Sequence, residues 1–156
     1  MKPLRKFEDF LKEGIVKKQR IDVSRAADLV QEAEKRRQFI KDMEEKIVVS
    51  DANANYFVEN IYDTIMELIR AKMFLDGFKA AGLSAHEAEV SYLRKLKFSE
   101  VDVRFSNELR YYRNGVVYYG KSMDAEYANK VLKFLNEKYL HLVGIATPKK
   151  QNSQSK

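Results

Sequence analysis

The densest concentration of usable side chains lies between Arg104 and Lys121, where Arg104, Arg110, Arg113 and Lys121 are balanced by Glu108 alone. Four of the nine tyrosines, Tyr111, Tyr112, Tyr118 and Tyr119, are interleaved with those cations. Cations attract phosphate and phenol rings stack on bases, so the cluster has the makings of a nucleotide or RNA contact. It could equally be a solvated helix face, and composition alone favours that plainer role. Other constellations are missing. There is no glycine loop of either standard phosphate-binding pattern, and no serine sits in a nucleophile elbow. His86 and His141 stand far apart, outside any metal-ligand spacing, and the chain has no cysteine. His86, within the first turn of a short helix, reads as a structural or surface residue. No metal and no cofactor is expected, so any catalysis would fall to Arg, Tyr, Asn or Lys.

The segment that presents the cluster admits two folds. Asn114-Gly115 between β-branched and aromatic residues is a strong signal for a two-residue hairpin turn. Yet Val101, Phe105, Leu109, Tyr112, Val116 and Tyr119 recur at spacings of four, four, three, four and three, a helical register that runs through the same letters. A solitary hairpin is marginal in water, and no other segment offers convincing strand alternation. The helix is therefore expected to continue across Gly115, kinked or tightened where glycine costs about 1 kcal/mol. Such local conflicts concentrate at functional sites.

Around that helix the sequence predicts an all-α, up-and-down bundle of four or five main helices plus a short connecting one. Prolines occur only at Pro3 and Pro148, so nothing between them forbids long helices. A weaker helix covers about Leu4 to Lys18, interrupted by Gly14. Asp22 or Ser24 can cap the next, with Leu29, Ala33, Ile40, Met43 and Ile47 at helical spacing and "EAEKRRQ" as its outer face. A third helix should reach about Ala81 and stop at Gly82. It carries the stripe Phe57, Ile61, Ile65, Leu68, Leu75 and Phe78, with Tyr62, Ile69 and Met73 apolar beside it. So wide an apolar surface belongs at the centre of a bundle or at an oligomer interface. Ser84 with Glu87, and Ser99 with Asp102, have capping-box spacing ahead of the short helix and the tyrosine-bearing one. The last helix should start near Asp124 and carry Val131, Leu132, Leu135 and Tyr139. Residues 1–20 are expected to be a helical extension, 21–143 the bundle, and 144–156 a disordered basic tail.

A hydrophobic share of 45% with 33% charged residues suits a globular chain. The net charge of +6 comes from Lys2, Arg5 and Lys6 at one end and Lys149, Lys150 and Lys156 at the other, which read as solubilising tails. No apolar run approaches the roughly 18 residues that span a bilayer, no signal-peptide core is apparent, and a cytoplasmic location is expected.

The order of elements and the segments "SRAADLVQEAEKR", "LSAHEAEVSYL" and "ELRYYRNGVVYYGK" together resemble the HEPN domain, the higher eukaryote and prokaryote nucleotide-binding domain. The resemblance covers about residues 20 to 143 and is sharpest at Arg113-Asn114 followed by Tyr118-Tyr119-Gly120. It implies a homodimer in which the arginine motifs of two subunits face each other. It also implies RNA or nucleotide as ligand and a small nucleotidyltransferase as partner in a toxin–antitoxin-type pair. Many members are metal-independent endoribonucleases whose arginine is followed, about five places on, by a histidine. By position, Arg113 matches the arginine, Asn114 its polar neighbour, and Tyr118 stands where the histidine would be. Arg113 can fork onto phosphate oxygens and stabilise a phosphorane, and Asn114 can orient it. Tyrosine, with a pKa near 10, is ionised at only about one part in a thousand at pH 7, so Tyr118 is a poor base. On a regular helix it also leaves about 140° round from Arg113, so convergence needs a kink or the second subunit. Binding is therefore expected through Arg110, Arg113, Tyr118, Tyr119 and Lys121, with ribonuclease activity weak or absent. The rivals are a working ribonuclease using Tyr118 or a distant group as base, and a non-catalytic partner-binding bundle in which the tyrosines pack an interface.

Overall fold

The computed structural model describes residues 1–120 and 122–149, with the backbone alone at 117–119. The described chain is an all-α bundle with one short ribbon added: α1 (Phe7–Lys12), β1 (Val16–Lys18), α2 (Val23–Lys46), α3 (Ala54–Asp76), β2 (Phe78–Ala80), α4 (Ala85–Ser91), a 3-10 turn (Tyr92–Arg94), α5 (Glu100–Tyr119) and α6 (Ala125–Ala146). Helix α3 is the axis. It packs on α2 and α6 along its length and also meets α4 and α5. Phe57, Ile61, Tyr62, Ile65, Leu68, Ile69, Met73 and Phe74 are all at most 2% exposed. The wide apolar surface expected of it is thus consumed inside one chain.

Local rules account for most boundaries. The Asp22 carboxylate accepts from Arg25 N at 3.0 Å and opens α2. Ser99 Oγ accepts from Asp102 N at 3.1 Å and opens α5, while the Asp102 carboxylate turns to Lys138, 3.1 Å away on α6. Asp124 accepts from Tyr127 N at 2.8 Å and opens α6. The box expected at Ser84 and Glu87 does not form: Ser84 precedes α4 without a side-chain cap bond, and Glu87 pairs with Arg5 at 3.3 Å.

Three expected element boundaries need correction. The helix expected over Leu4 to Lys18 is only α1; Gly14 turns the chain at φ +75° and an extended strand follows. The third helix ends at Asp76, not near Ala81, because Gly77 adopts φ +81° as its left-handed cap. Residues 16–18 then pair antiparallel with 78–80, in the register Val16 to Ala80. This ribbon escaped the sequence because each strand is three residues long, too short to display alternation. It persists because Val16 is 1% exposed and Phe78 meets Phe7 edge-on at 5.2 Å. The third correction is that α6 runs on to Ala146, with Leu142 and Ala146 buried, beyond the Val143 limit. Residues 150–156 of the expected tail lie outside the described residues.

The contest over Asn114-Gly115 is resolved as helix, since α5 is continuous through it. The buried positions are Val103, Ser106, Asn107 and Leu109, with Arg110, Arg113 and Asn114 half-buried. Val101 is 69% exposed and Tyr111 and Tyr112 are exposed, while Phe105 reaches sideways to stack on Phe134 of α6. At 100° per residue the buried face is therefore centred beyond one edge of the apolar stripe and shares Leu109 with it. α5 shows its polar side to its own bundle.

A candidate anion-binding site around Arg113

What receives that polar side is a line of polar residues on α3. Asn60, Asp63, Glu67 and Arg70 recur at spacings of three, four and three, one stripe on an otherwise apolar helix. From α2, Arg36 donates through Nε to Glu67 at 2.7 Å and through Nη1 to Asn60 Oδ1 at 3.1 Å, and stands 3.9 Å from Asp63. From α4, Glu89 receives a two-pronged contact from Arg70 at 2.6 and 3.0 Å. From α5, Arg113 reaches Asp63 at 3.7 Å and holds its guanidinium centre 5.2 Å from the Tyr62 ring centroid.

The arginines are not equally satisfied. Arg36 and Arg70 hold short, charge-assisted bonds. At 3.7 Å the Arg113–Asp63 contact is beyond hydrogen-bond range, and Arg113 Nε is buried without a partner among the described residues. Only 20% of the Arg113 side chain is exposed. Nε itself is closed off from solvent, so an oxyanion would have to approach through the terminal nitrogens, over the Tyr62 face.

Next to it lies a histidine. Tyr62 OH is 2.9 Å from His86 Nδ1 on α4. Burial pushes the Tyr62 phenol up, against the opposing pull of Arg113 and Arg110. Burial pushes His86 down, opposed by Glu89 and reinforced by Arg70 and Arg113, so the ring is neutral near pH 7. The pairing that uses the phenolic proton has Tyr62 donating to Nδ1, which leaves the ring proton on Nε2. Burial likewise pushes Glu67 up, against its bond to Arg36.

Of the residues singled out from sequence, Arg113 and Arg110 are brought together around Tyr62. Arg110 Nε and Nη2 donate to Asn107 Oδ1 at 3.1 and 2.9 Å. Asn114 is half-buried on the same helix. Tyr118 and Tyr119 belong to α5 by backbone, with side chains outside the described part, and Lys121 also lies outside it. Sequence reasoning missed Arg36, Tyr62, Asp63 and His86 as neighbours of the arginine. The one signal available was the polar stripe on α3, masked by the greater apolar stripe beside it. Among the described residues no group of three His, Cys, Asp or Glu side chains could hold a metal ion, and no helix is long and apolar enough to cross a membrane.

No protein-family model, curated protein or solved structure matches the chain.

Proposed function

We propose that the protein is a HEPN-like RNA- or nucleotide-binding protein that acts as a homodimer, partnered with a small nucleotidyltransferase in a toxin–antitoxin-type pair, with little or no ribonuclease activity. The observation that carries the proposal is the under-satisfied guanidinium of Arg113, half-buried over Tyr62, with Asp63 3.7 Å away and Nε without a partner among the described residues. An RNA or nucleotide phosphate supplies the oxygens that Asp63 at 3.7 Å does not. The homodimer draws support from α5, which leaves Val101 69% exposed and Tyr112 36% exposed, the latter edge-on to Tyr127 of α6. The experiment is equilibrium binding of single-stranded RNA and of nucleoside phosphates to the wild-type chain, Arg113→Ala and Arg113→Lys. The expected result is a loss of at least tenfold for Arg113→Ala, with only partial rescue by lysine, which lacks the fork. Equal binding by all three would remove the proposal and favour a partner-binding bundle.

A second reading is favoured by His86. It is half-buried with Nδ1 bonded to the Tyr62 hydroxyl, and released from that bond it would let a working ribonuclease draw its proton-transfer group from α4 instead of α5. Cleavage of mixed RNA in EDTA, abolished separately by Arg113→Ala and His86→Ala, would establish that enzyme. Binding without cleavage returns the first reading.

A further inference from the structure

Residues 1–5 do not trail away from the bundle. Arg94 Nη1 donates to the carbonyl of Arg5 at 2.9 Å and to that of Leu4 at 3.4 Å, which ties this segment to the 3-10 turn, and Lys2 and Pro3 share a groove with Val103 and Asn107 of α5. A cleft of ≈ 680 Å³ opens there, lined by Lys2, Arg5, Glu87, Arg110 and Tyr111. Arg5 bridges Glu13 and Glu87 at 2.9 and 3.3 Å, so the one carboxylate in the lining is already matched. Arg110 directs two donors to Asn107, a neutral acceptor, and Lys2 is exposed. Both bring positive charge to the cleft that no contact described there cancels. Tyr111, 50% exposed, adds an aromatic surface to the same lining. Lys2 and Arg5, read from sequence as part of a solubilising tail, thus lie across a cleft from a helix that carries an arginine and a tyrosine.

The cleft also adjoins the Arg113 site. Arg110 and Arg113 lie three residues apart on α5, about 4.5 Å along the axis and on neighbouring positions of one face. We propose that this cleft takes the nucleotide next to the one whose phosphate meets Arg113, with its phosphate on Lys2 and Arg110 and its base against Tyr111. The ligand is then a single RNA strand of two or more nucleotides rather than a free mononucleotide. This rests on the proposed role of Arg113 in phosphate binding. An aromatic surface beside paired cations fits a nucleotide better than an acidic peptide, which needs the charges alone.

The test uses the full chain with labelled arginine side chains and tyrosine rings, titrated by NMR with uridine monophosphate, a six-nucleotide oligouridylate and polyglutamate. The expected result is that the oligonucleotide shifts the Arg113, Arg110 and Tyr111 signals together and binds at least tenfold more tightly than the mononucleotide. A Lys2→Ala/Tyr111→Ala double variant, altering two exposed side chains, should lower oligonucleotide affinity about tenfold and reduce the salt slope by about 0.7 for the lost phosphate contact. Shifts at Arg113 alone, with the double variant binding as wild type, overturn the cleft and leave the Arg113 reading intact. Shifts at Arg110 and Tyr111 alone sustain the cleft and overturn the Arg113 reading. No shift at either overturns both, and equal shifts with polyglutamate overturn the assignment to RNA.

Discussion

Arg113 has only a 3.7 Å contact to Asp63 among the described residues, and His86 is the histidine that stands near it. Its folded pKa lies below the ordinary 6.5, chiefly through burial, while Asp63, Glu89, Arg70 and Arg113 supply the charges around it. In the interval between the folded and unfolded values the unfolded chain binds the extra proton, so stability rises with pH there. His86 therefore contributes stability that is complete above its unfolded pKa and is lost as pH falls through the folded one. His86→Gln, which keeps an acceptor for the Tyr62 hydroxyl, should flatten the loss of stability between about pH 7 and pH 5. Urea melts of both proteins across that range check it, and parallel curves would count against the assignment. Glu67, pushed the opposite way by burial, is common to both proteins and cancels in the comparison. At this scale the arginines were legible in the sequence because they sit together in one segment. Tyr62, Asp63, Arg36 and His86 were not, because they reach the site from α2, α3 and α4, and a linear pattern does not show which faces meet.

At the scale of elements, helix periodicity was legible wherever a segment exceeded two turns, and α2, α5 and α6 begin at capping residues visible in the letters. The end of α3 was not. Gly77 and Gly82 offer the same local stop signal, and tertiary contact distinguishes them. The Gly77 carbonyl lies where the chain from β1 passes and accepts from Gln19 N at 2.8 Å. A Cβ on Gly77 would sit 2.9 Å from the Gln19 carbonyl oxygen, whereas one on Gly82 would meet nothing within 4 Å. Both have positive φ, +81° and +90°, so each alanine substitution should cost about 1–2 kcal/mol for the left-handed backbone. Gly77→Ala should cost at least about 1 kcal/mol more, from the displaced strand connection, and that excess is readable from paired urea melts. The turned face of α5 was equally invisible: the register was right, but the register does not say that the polar side faces inward. If the outward stripe is a dimer seam, Val101→Glu should shift the sedimenting species from dimer to monomer while leaving helix content unchanged. A dimer that survives the change places the seam elsewhere.

For the whole molecule, the all-α architecture followed from the absence of interior proline and the abundance of helical stripes. The integration of residues 1–20 did not, because it depends on two aromatic side chains finding one pocket. Phe10 is fully buried and Phe7 lies 4.7 Å from the Tyr92 ring centroid, so the amino-terminal segment is part of the core. Phe10→Ala should lower unfolding free energy by about 3–5 kcal/mol, measured by denaturant, as for any large aromatic truncated in a packed interior. A loss below about 1 kcal/mol would mean the segment is only appended.

Asp63 stands between two arginines that belong to different helices, 3.9 Å from Arg36 and 3.7 Å from Arg113. An incoming phosphate that claims Arg113 would leave this carboxylate to Arg36 alone. The α2 side of the molecule would then register an arrival on the α5 side with no ligand touching it. A reporter on α2 would read that exchange of allegiance, and a partner protein resting there could sense whether the arginine across the axis is engaged.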